Sequence, residues 1–126
     1  MKVICAHVRN EFLSKIKEGK KVIEGRLEKE PYSLLEPGDF MILYDEYGNV
    51  VRVRVKAVRR YDNFREMLEK EGLERVLPGV KSIEDGVKIY HSIYNDSERQ
   101  GKKVLAIEIE IVDCLWKPLV HSIEQN

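Results

Sequence analysis

The sequence predicts an α+β domain, a small mixed β-barrel with helices over its open end. Three observations carry that prediction. Strand-like segments lie near both ends and in the middle of the chain, and helical patterns separate them, so strands that pair cannot all be sequence neighbours. Val50 to Arg60 alternates as a strand with one apolar and one basic face. The 126 residues, 43% hydrophobic and 35% charged, suffice for a single core.

Each element has its own signal. Met1 to Ala6 is a short apolar strand. Asn10 is placed to cap a helix whose apolar face is Phe12, Leu13 and Ile16, with Gly19 as its stop. A second strand follows Lys20. Glu28 to Leu35 reads as a loop with one helical turn, and Pro37-Gly38-Asp39 as a turn before the strand Phe40 to Tyr44. Glu46 to Asn49 is a hairpin turn. In the next strand Val51, Val53, Val55 and Ala57 face the core, while Arg52, Arg54 and Lys56 face out. That basic face has two readings. It pairs with acidic neighbours such as Glu108 and Glu110 of the last strand, or it forms a phosphate-contacting stripe.

Asp62 is placed to cap a helix through Lys70 that carries Phe64, Met67 and Leu68 and ends at Gly72. Leu77-Pro78-Gly79 is a turn. Ser82, with Asp85 three residues on, opens a helix to about Tyr94, with Tyr90 and either Ile93 or Tyr94 inward. Asn95 to Lys102 reads as a polar loop. The last strand, Lys103 to Cys114, turns Ile107, Ile109 and Ile111 inward, and residues 115–126 form a tail with the single tryptophan, Trp116.

Composition excludes several classes of function. Lysine plus arginine equals aspartate plus glutamate at 22 each, so nucleic-acid binding requires a local patch rather than a polycationic surface. No run of 18 apolar residues and no signal peptide occurs, which predicts a cytoplasmic protein with no membrane partner. Cys5 and Cys114 lie near opposite ends. They can bridge only if the terminal strands pair, and two reduced, buried thiols are the expectation. No C-x-x-C occurs and His7, His91 and His121 are scattered, so neither a metal nor another cofactor is expected.

The densest functional signal is Gly19-Lys20-Lys21-Val22-Ile23-Glu24-Gly25-Arg26. Strand alternation places Glu24 and Arg26 on one face, two residues apart, with Gly25 leaving space behind them. If that face is covered, both charges need partners, because an isolated buried charge is very costly. If it is open, they form a surface ion pair worth little. Lys21 joins them only if it lies ahead of the strand, before regular pleating begins. Glu71 sits at the unfavourable end of a helix dipole and calls for a cationic partner, for which Lys21 is a candidate. Tyr90 and Tyr94, one helical turn apart, are either core aromatics or a base-stacking pair, and Tyr61 and Tyr32 are weaker candidates for stacking.

The spacing G-x-K-x-x-E-x-R, carried by Gly19, Lys21, Glu24 and Arg26, resembles the signature of the ASCH family. So do Pro37-Gly38-Asp39, the run Met67 to Leu73, the Tyr90 and Tyr94 pair and the closing strand Val104 to Ile109, in that order. The resemblance spans about residues 10–112 of a single domain, residues 1–126. It implies a PUA-like fold and a cleft that binds single-stranded RNA or a nucleoside through Lys21, Glu24, Arg26, Tyr61, Glu71, Tyr90 and Tyr94. It also implies an alternative. Some small family members are similar to amidohydrolases that remove an acyl group from N4-acylated cytidine, with a lysine, a threonine three residues later and a cleft-helix glutamate. Lys21 and Glu71 match that pattern. Glu24 replaces the threonine, and a carboxylate cannot serve as that hydroxyl nucleophile. The catalytic set, if there is one, is then Lys21, Glu24 and Glu71. A third reading is a protein-interaction domain with an empty cleft.

Overall fold

The computed structural model describes residues 1–117. Its strands are β1 (Val3–His7), β2 (Ile23–Leu27), β3 (Phe40–Tyr44), β4 (Val50–Tyr61) and β5 (Val104–Leu115). Its helices are α1 (Asn10–Lys17), α2 (Phe64–Glu71), α3 (Leu73–Val76), α4 (Ile83–Ile93) and α5 (Asp96–Arg99), with one 3₁₀ turn at Tyr32–Leu34. The α+β class is as the sequence predicts.

The five strands form one sheet in the order β1-β3-β4-β5-β2, with β1 parallel to β3 and the other neighbours antiparallel. The sheet does not close, so the expected barrel is corrected to an open sheet. Its edges, β1 and β2, leave a seam, and the Arg26 side chain spans it by donating from Nη2 to the His7 carbonyl at 2.7 Å. α1 and α2 both pack on β4 and β5, and Leu13, Ile16, Met67 and Leu68 of the helices share one buried core with Met41, Leu43, Val51, Val53, Leu105 and Ile107 of the sheet. α2 packs on α4 where Gly86 lets the Leu68 side chain approach. A Cβ at Gly86 would lie 2.8 Å from Leu68 Cδ1.

The long strand behaves as its alternation predicts only as far as Lys56; Ala57, expected in the core, is half-buried, because the register shifts between Val55 and Ala57. Val51, Val53 and Val55 are buried, and Arg52, Arg54 and Lys56 pair with Asp113, Glu110 and Glu108 across the ladder. The basic stripe is therefore neutralised within the sheet.

Other expectations require correction. The cap of α2 is Asn63, whose side chain accepts from the Glu66 N–H, not Asp62. Asn10 does not cap α1 but donates to Asp45 at 2.8 Å. The polar loop after Tyr94 contains α5, opened by a reciprocal Asn95–Glu98 capping box. Ile111 is exposed rather than inward: β5 outruns β2, whose pairing ends near Ile109, and among the described residues β5 is exposed from Glu110 on. Cys5 and Cys114 are free and exposed rather than buried, and the terminal strands are not neighbours. The expected tail begins later than its spacing suggests: Leu115 still belongs to β5, Trp116 packs partly on the core with its ring 5.0 Å from the Lys17 ammonium, the Lys117 N–H donates to Asn49 at 2.7 Å, and residues 118–126, His121 among them, lie outside the described residues.

Asp45 organises the β3–β4 hairpin. Its buried carboxylate accepts from the backbone N–H groups of Tyr47 and Asn49 and from the side chains of Asn49 and Asn10. It thus ties the turn to α1. Asp45→Ala leaves those donors unpaired and is expected to cost roughly 1–3 kcal/mol. Urea unfolding measures this, and an unchanged midpoint would show that the turn forms without its carboxylate.

Candidate functional site

β2 is an edge strand, and its pattern of charges follows from that. Glu24 and Arg26 share the face that sequence alternation assigns them, while Val22 lies ahead of the strand. Only one side of the backbone is engaged by β5, so the carbonyls and N–H groups of Ile23, Gly25 and Leu27 point along the open edge and need other partners. Three side chains supply them. Lys21, just ahead of the strand, donates from Nζ to the Ile23 carbonyl at 2.6 Å. The Tyr90 hydroxyl lies against the Gly25 backbone, and that of Tyr94 against Leu27.

Lys21 is 3% exposed. Its ammonium also donates to the Val76 carbonyl at the end of α3, 2.6 Å away, and lies 3.3 Å from Glu24 Oε1. Three acceptors thus meet its three N–H groups. Burial pulls its pKa below the ordinary lysine value, and the Glu24 carboxylate opposes that pull. Glu24 is 7% exposed and sits between two cations, with Arg26 Nε donating to Oε2 at 2.8 Å. Burial alone would raise its pKa, but Arg26 and Lys21 outweigh it and hold the carboxyl below the ordinary range. Burial would likewise lower Arg26, but Glu24 reverses this and leaves the guanidinium firmly charged. Arg26 also donates to the Tyr32 hydroxyl at 3.0 Å, and its guanidinium stands 4.9 Å from the Tyr32 ring centroid. The weak surface pair is therefore not what forms. The three charges make a covered, mutually compensated set.

This set forms the floor of a concavity of about 320 Å³ at the seam between β1 and β2. That volume falls at the small end of the range for ligand pockets, about 300–1,000 Å³. Phe12 of α1 and Val8 wall one side, Ile89 and Ile93 of α4 with Tyr94 at its C-terminal end the other, and Arg9 stands at the lining. The tyrosines are core aromatics first. The Tyr90 ring stacks on Phe64 at 4.2 Å between centroids and the Tyr94 ring at 5.6 Å, so Phe64 occupies one face of each. Burial pushes the Tyr90 phenol well above its ordinary pKa, keeping it neutral.

Two sequence candidates lie elsewhere. Glu71 is 5% exposed but does not line the concavity. The Arg59 guanidinium holds it through Nε at 2.6 Å and Nη2 at 2.8 Å, the Tyr61 hydroxyl donates to it, and Arg75 lies 3.7 Å away. Its helix-end position did call for a cation, but the cation is Arg59 of β4, not Lys21. Tyr61 is committed to the same cluster. Sequence reasoning missed Arg59 because β4 shifts register between Val55 and Ala57, breaking the alternation that placed its earlier residues. It also missed Phe12 as a wall of the concavity, since Phe12 reads simply as core. Among the described residues no group of three or more His, Cys, Asp or Glu is arranged to hold a metal ion, and no helix is long and apolar enough to cross a membrane.

Two outcomes follow. Gly25 has no side chain because the space is taken. A Cβ there would lie 2.7 Å from Tyr90 Oη and 2.8 Å from Met67 Cε. Gly25→Ala is expected to destabilise the protein by about 1–3 kcal/mol through overpacking, read as a lower urea midpoint, and full stability would refute the close approach. The second outcome concerns acid. The Arg59 hydrogen bond holds the Glu71 carboxyl below its ordinary value of 4.5. A depressed folded-state pKa gives stability that is present above the ordinary value and lost as pH falls through the folded one. Glu71→Gln should therefore lower stability at pH 7 and flatten its decline below pH 4.5, checked by thermal unfolding across pH. Parallel curves for the two proteins would contradict it.

Comparison with known proteins adds a family. The ASCH domain family matches residues 7–114. The crystal structure of the hypothetical protein PH0355 is similar at 48% identity and a TM-score of 0.80, covering 89% of this chain and 100% of its own. The solution structure of protein PF0455 from Pyrococcus furiosus is similar at 49% identity and a TM-score of 0.71, covering 90% and 99%. A mutant of ZmASCH from Zymomonas mobilis shares the fold at 16% identity and a TM-score of 0.61, covering 100% and 84%. No curated protein matches the chain. With most of its length matched, the chain belongs to the ASCH domain family, whose fold is PUA-like.

Proposed function

We propose that this protein is a binding module that takes a base of single-stranded RNA, or a nucleoside, into the concavity at the β1–β2 seam. One observation carries the reading: an ionised, almost fully buried carboxylate, Glu24, forms part of the floor of a pocket with apolar and aromatic walls. A carboxylate in that state accepts hydrogen bonds and donates none. The floor therefore suits a group with N–H donors, such as the exocyclic amine of a base, with the base plane between Phe12 and the apolar side of α4. Arg26 holds Glu24 in place, so Glu24 presents a fixed rather than a mobile acceptor. Neutralisation of Arg52, Arg54 and Lys56 by their own acidic neighbours argues against a duplex footprint along β4, since such binding needs many free cations.

The hydrolytic reading has less support. Its lysine needs a free amine beside a nucleophile, whereas the Lys21 donors face three acceptors, and among the described residues neither serine nor threonine lines the concavity. Its glutamate, Glu71, is held by Arg59 and Tyr61 outside the lining.

Titration calorimetry with cytidine, adenosine, a single-stranded RNA hexamer and duplex DNA at one salt concentration tests the proposal. Binding of the first three, weakened by Glu24→Gln by about 1–3 kcal/mol, is the expected result. Equal affinity for duplex and single strand with the same steep salt slope would refute it. So would release of acetate from N4-acetylcytidine by the wild-type protein that a folded Lys21→Met variant fails to give.

A further inference from the structure

We infer that the seam pocket is polarised, and that its ligand is an anionic nucleotide bound base-inward with its phosphate held at the rim by Arg9 and Lys29. The inference rests on the binding reading above and adds the charge and direction of the ligand.

The first observation is the sign of charge around the pocket. The protein carries equal numbers of acidic and basic residues, 22 of each. The cations of β4 and the cluster around Arg59 are matched by carboxylates. The pocket keeps an excess of cations: its lining holds Arg9, Lys21 and Arg26 against the single carboxylate of Glu24, and the one further carboxylate paired with these cations among the described residues, Glu11 beside Arg9, lies outside the lining. A local excess of positive charge in a neutral molecule concentrates anions there.

The second observation is how that charge is layered. The deep cations are occupied. Lys21 faces two carbonyls and Glu24, and Arg26 spends N–H groups on Glu24, Tyr32 and His7. The deep carboxylate is ionised and repels an anion from the floor. A phosphate cannot settle beside Glu24, but an amine can.

The third observation is a pair of exposed cations, Arg9 in the pocket lining and Lys29 outside it but next to a lining ring. The Arg9 guanidinium stands 5.5 Å from the ring centroid of Phe12, and the Lys29 ammonium 6.0 Å from that of Tyr94; both rings line the pocket. Lys29 makes no ion pair among the described residues. Arg9 has one ion-pair partner among the described residues, Glu11 at 3.4 Å, and both are well exposed, so that contact holds Arg9 only weakly. Each cation is thus free to turn from its aromatic wall to a phosphate outside the pocket, as a bidentate fork in the case of Arg9. Floor acceptor, apolar walls and rim cations together match amine, base plane and phosphate in the order a nucleotide presents them.

The test measures the affinity ratio of cytidine 5′-monophosphate to cytidine, and of adenosine 5′-monophosphate to adenosine, by titration calorimetry at low and high salt. Inorganic phosphate serves as a third probe. The monophosphates should bind roughly tenfold more tightly at low salt, an advantage that shrinks as salt rises. In the Arg9→Gln/Lys29→Gln double variant the ratio should fall to about one. Equal binding of nucleoside and nucleotide by the wild-type protein would overturn this inference and leave the binding reading standing. Failure of every nucleoside and nucleotide to bind would overturn both. Inorganic phosphate binding as tightly as the monophosphates would also overturn the inference, since the base would then contribute nothing.

Discussion

The arrangement at the seam depends on one buried carboxylate between two cations. Glu24 is tolerable in the interior only because Lys21 and Arg26 flank it, and each of those cations is tolerable only because it also reaches backbone oxygens. Those backbone contacts tie distant parts of the chain together. Lys21 fastens β2 to the end of α3, and Arg26 fastens β2 to β1 across the gap that the sheet leaves open. The charges thus do structural work that a closed barrel would assign to strand pairing, and the site exists because the sheet does not close.

An open seam creates the need that the neighbouring elements meet. A free strand edge is a liability unless it is covered. Here α4 and the residue that follows it lay Tyr90 and Tyr94 along it, and Gly25 lets the first approach the backbone. The slot that remains lies between side chains of α4 and Phe12 of α1. The concavity is the residue of that geometry, with the compensated charges at its base and apolar side chains as its walls.

Much of this was legible in the sequence. Alternation placed Glu24 and Arg26 together, and the position of Lys21 ahead of the strand gave the one route by which it joins them. Cross-strand pairing of Arg54 with Glu110 and Lys56 with Glu108 followed from two antiparallel strands of opposite charge. Other features depend on three-dimensional facts that no local pattern holds. The partner of Glu71 lies beyond a bulge that resets the parity of β4. Ile111 reads as inward from its spacing yet is exposed, because only the relative lengths of β5 and β2 decide what covers it. The caps at Asn63 and Asn95 sit beside equally plausible neighbours, and backbone geometry chooses between them. Closure of the sheet was likewise not a property of any one segment.

The seam is the claim on which the rest stands, and amide chemical shifts read it residue by residue. Titrating isotope-labelled protein with cytidine 5′-monophosphate should perturb Val8, Phe12, Gly25, Arg26 and Tyr94, which frame the concavity, and leave Arg52, Arg54 and Asp113 unmoved. Saturable shifts confined to the outer face of β4 and β5, with Gly25 and Arg26 silent, would contradict the account.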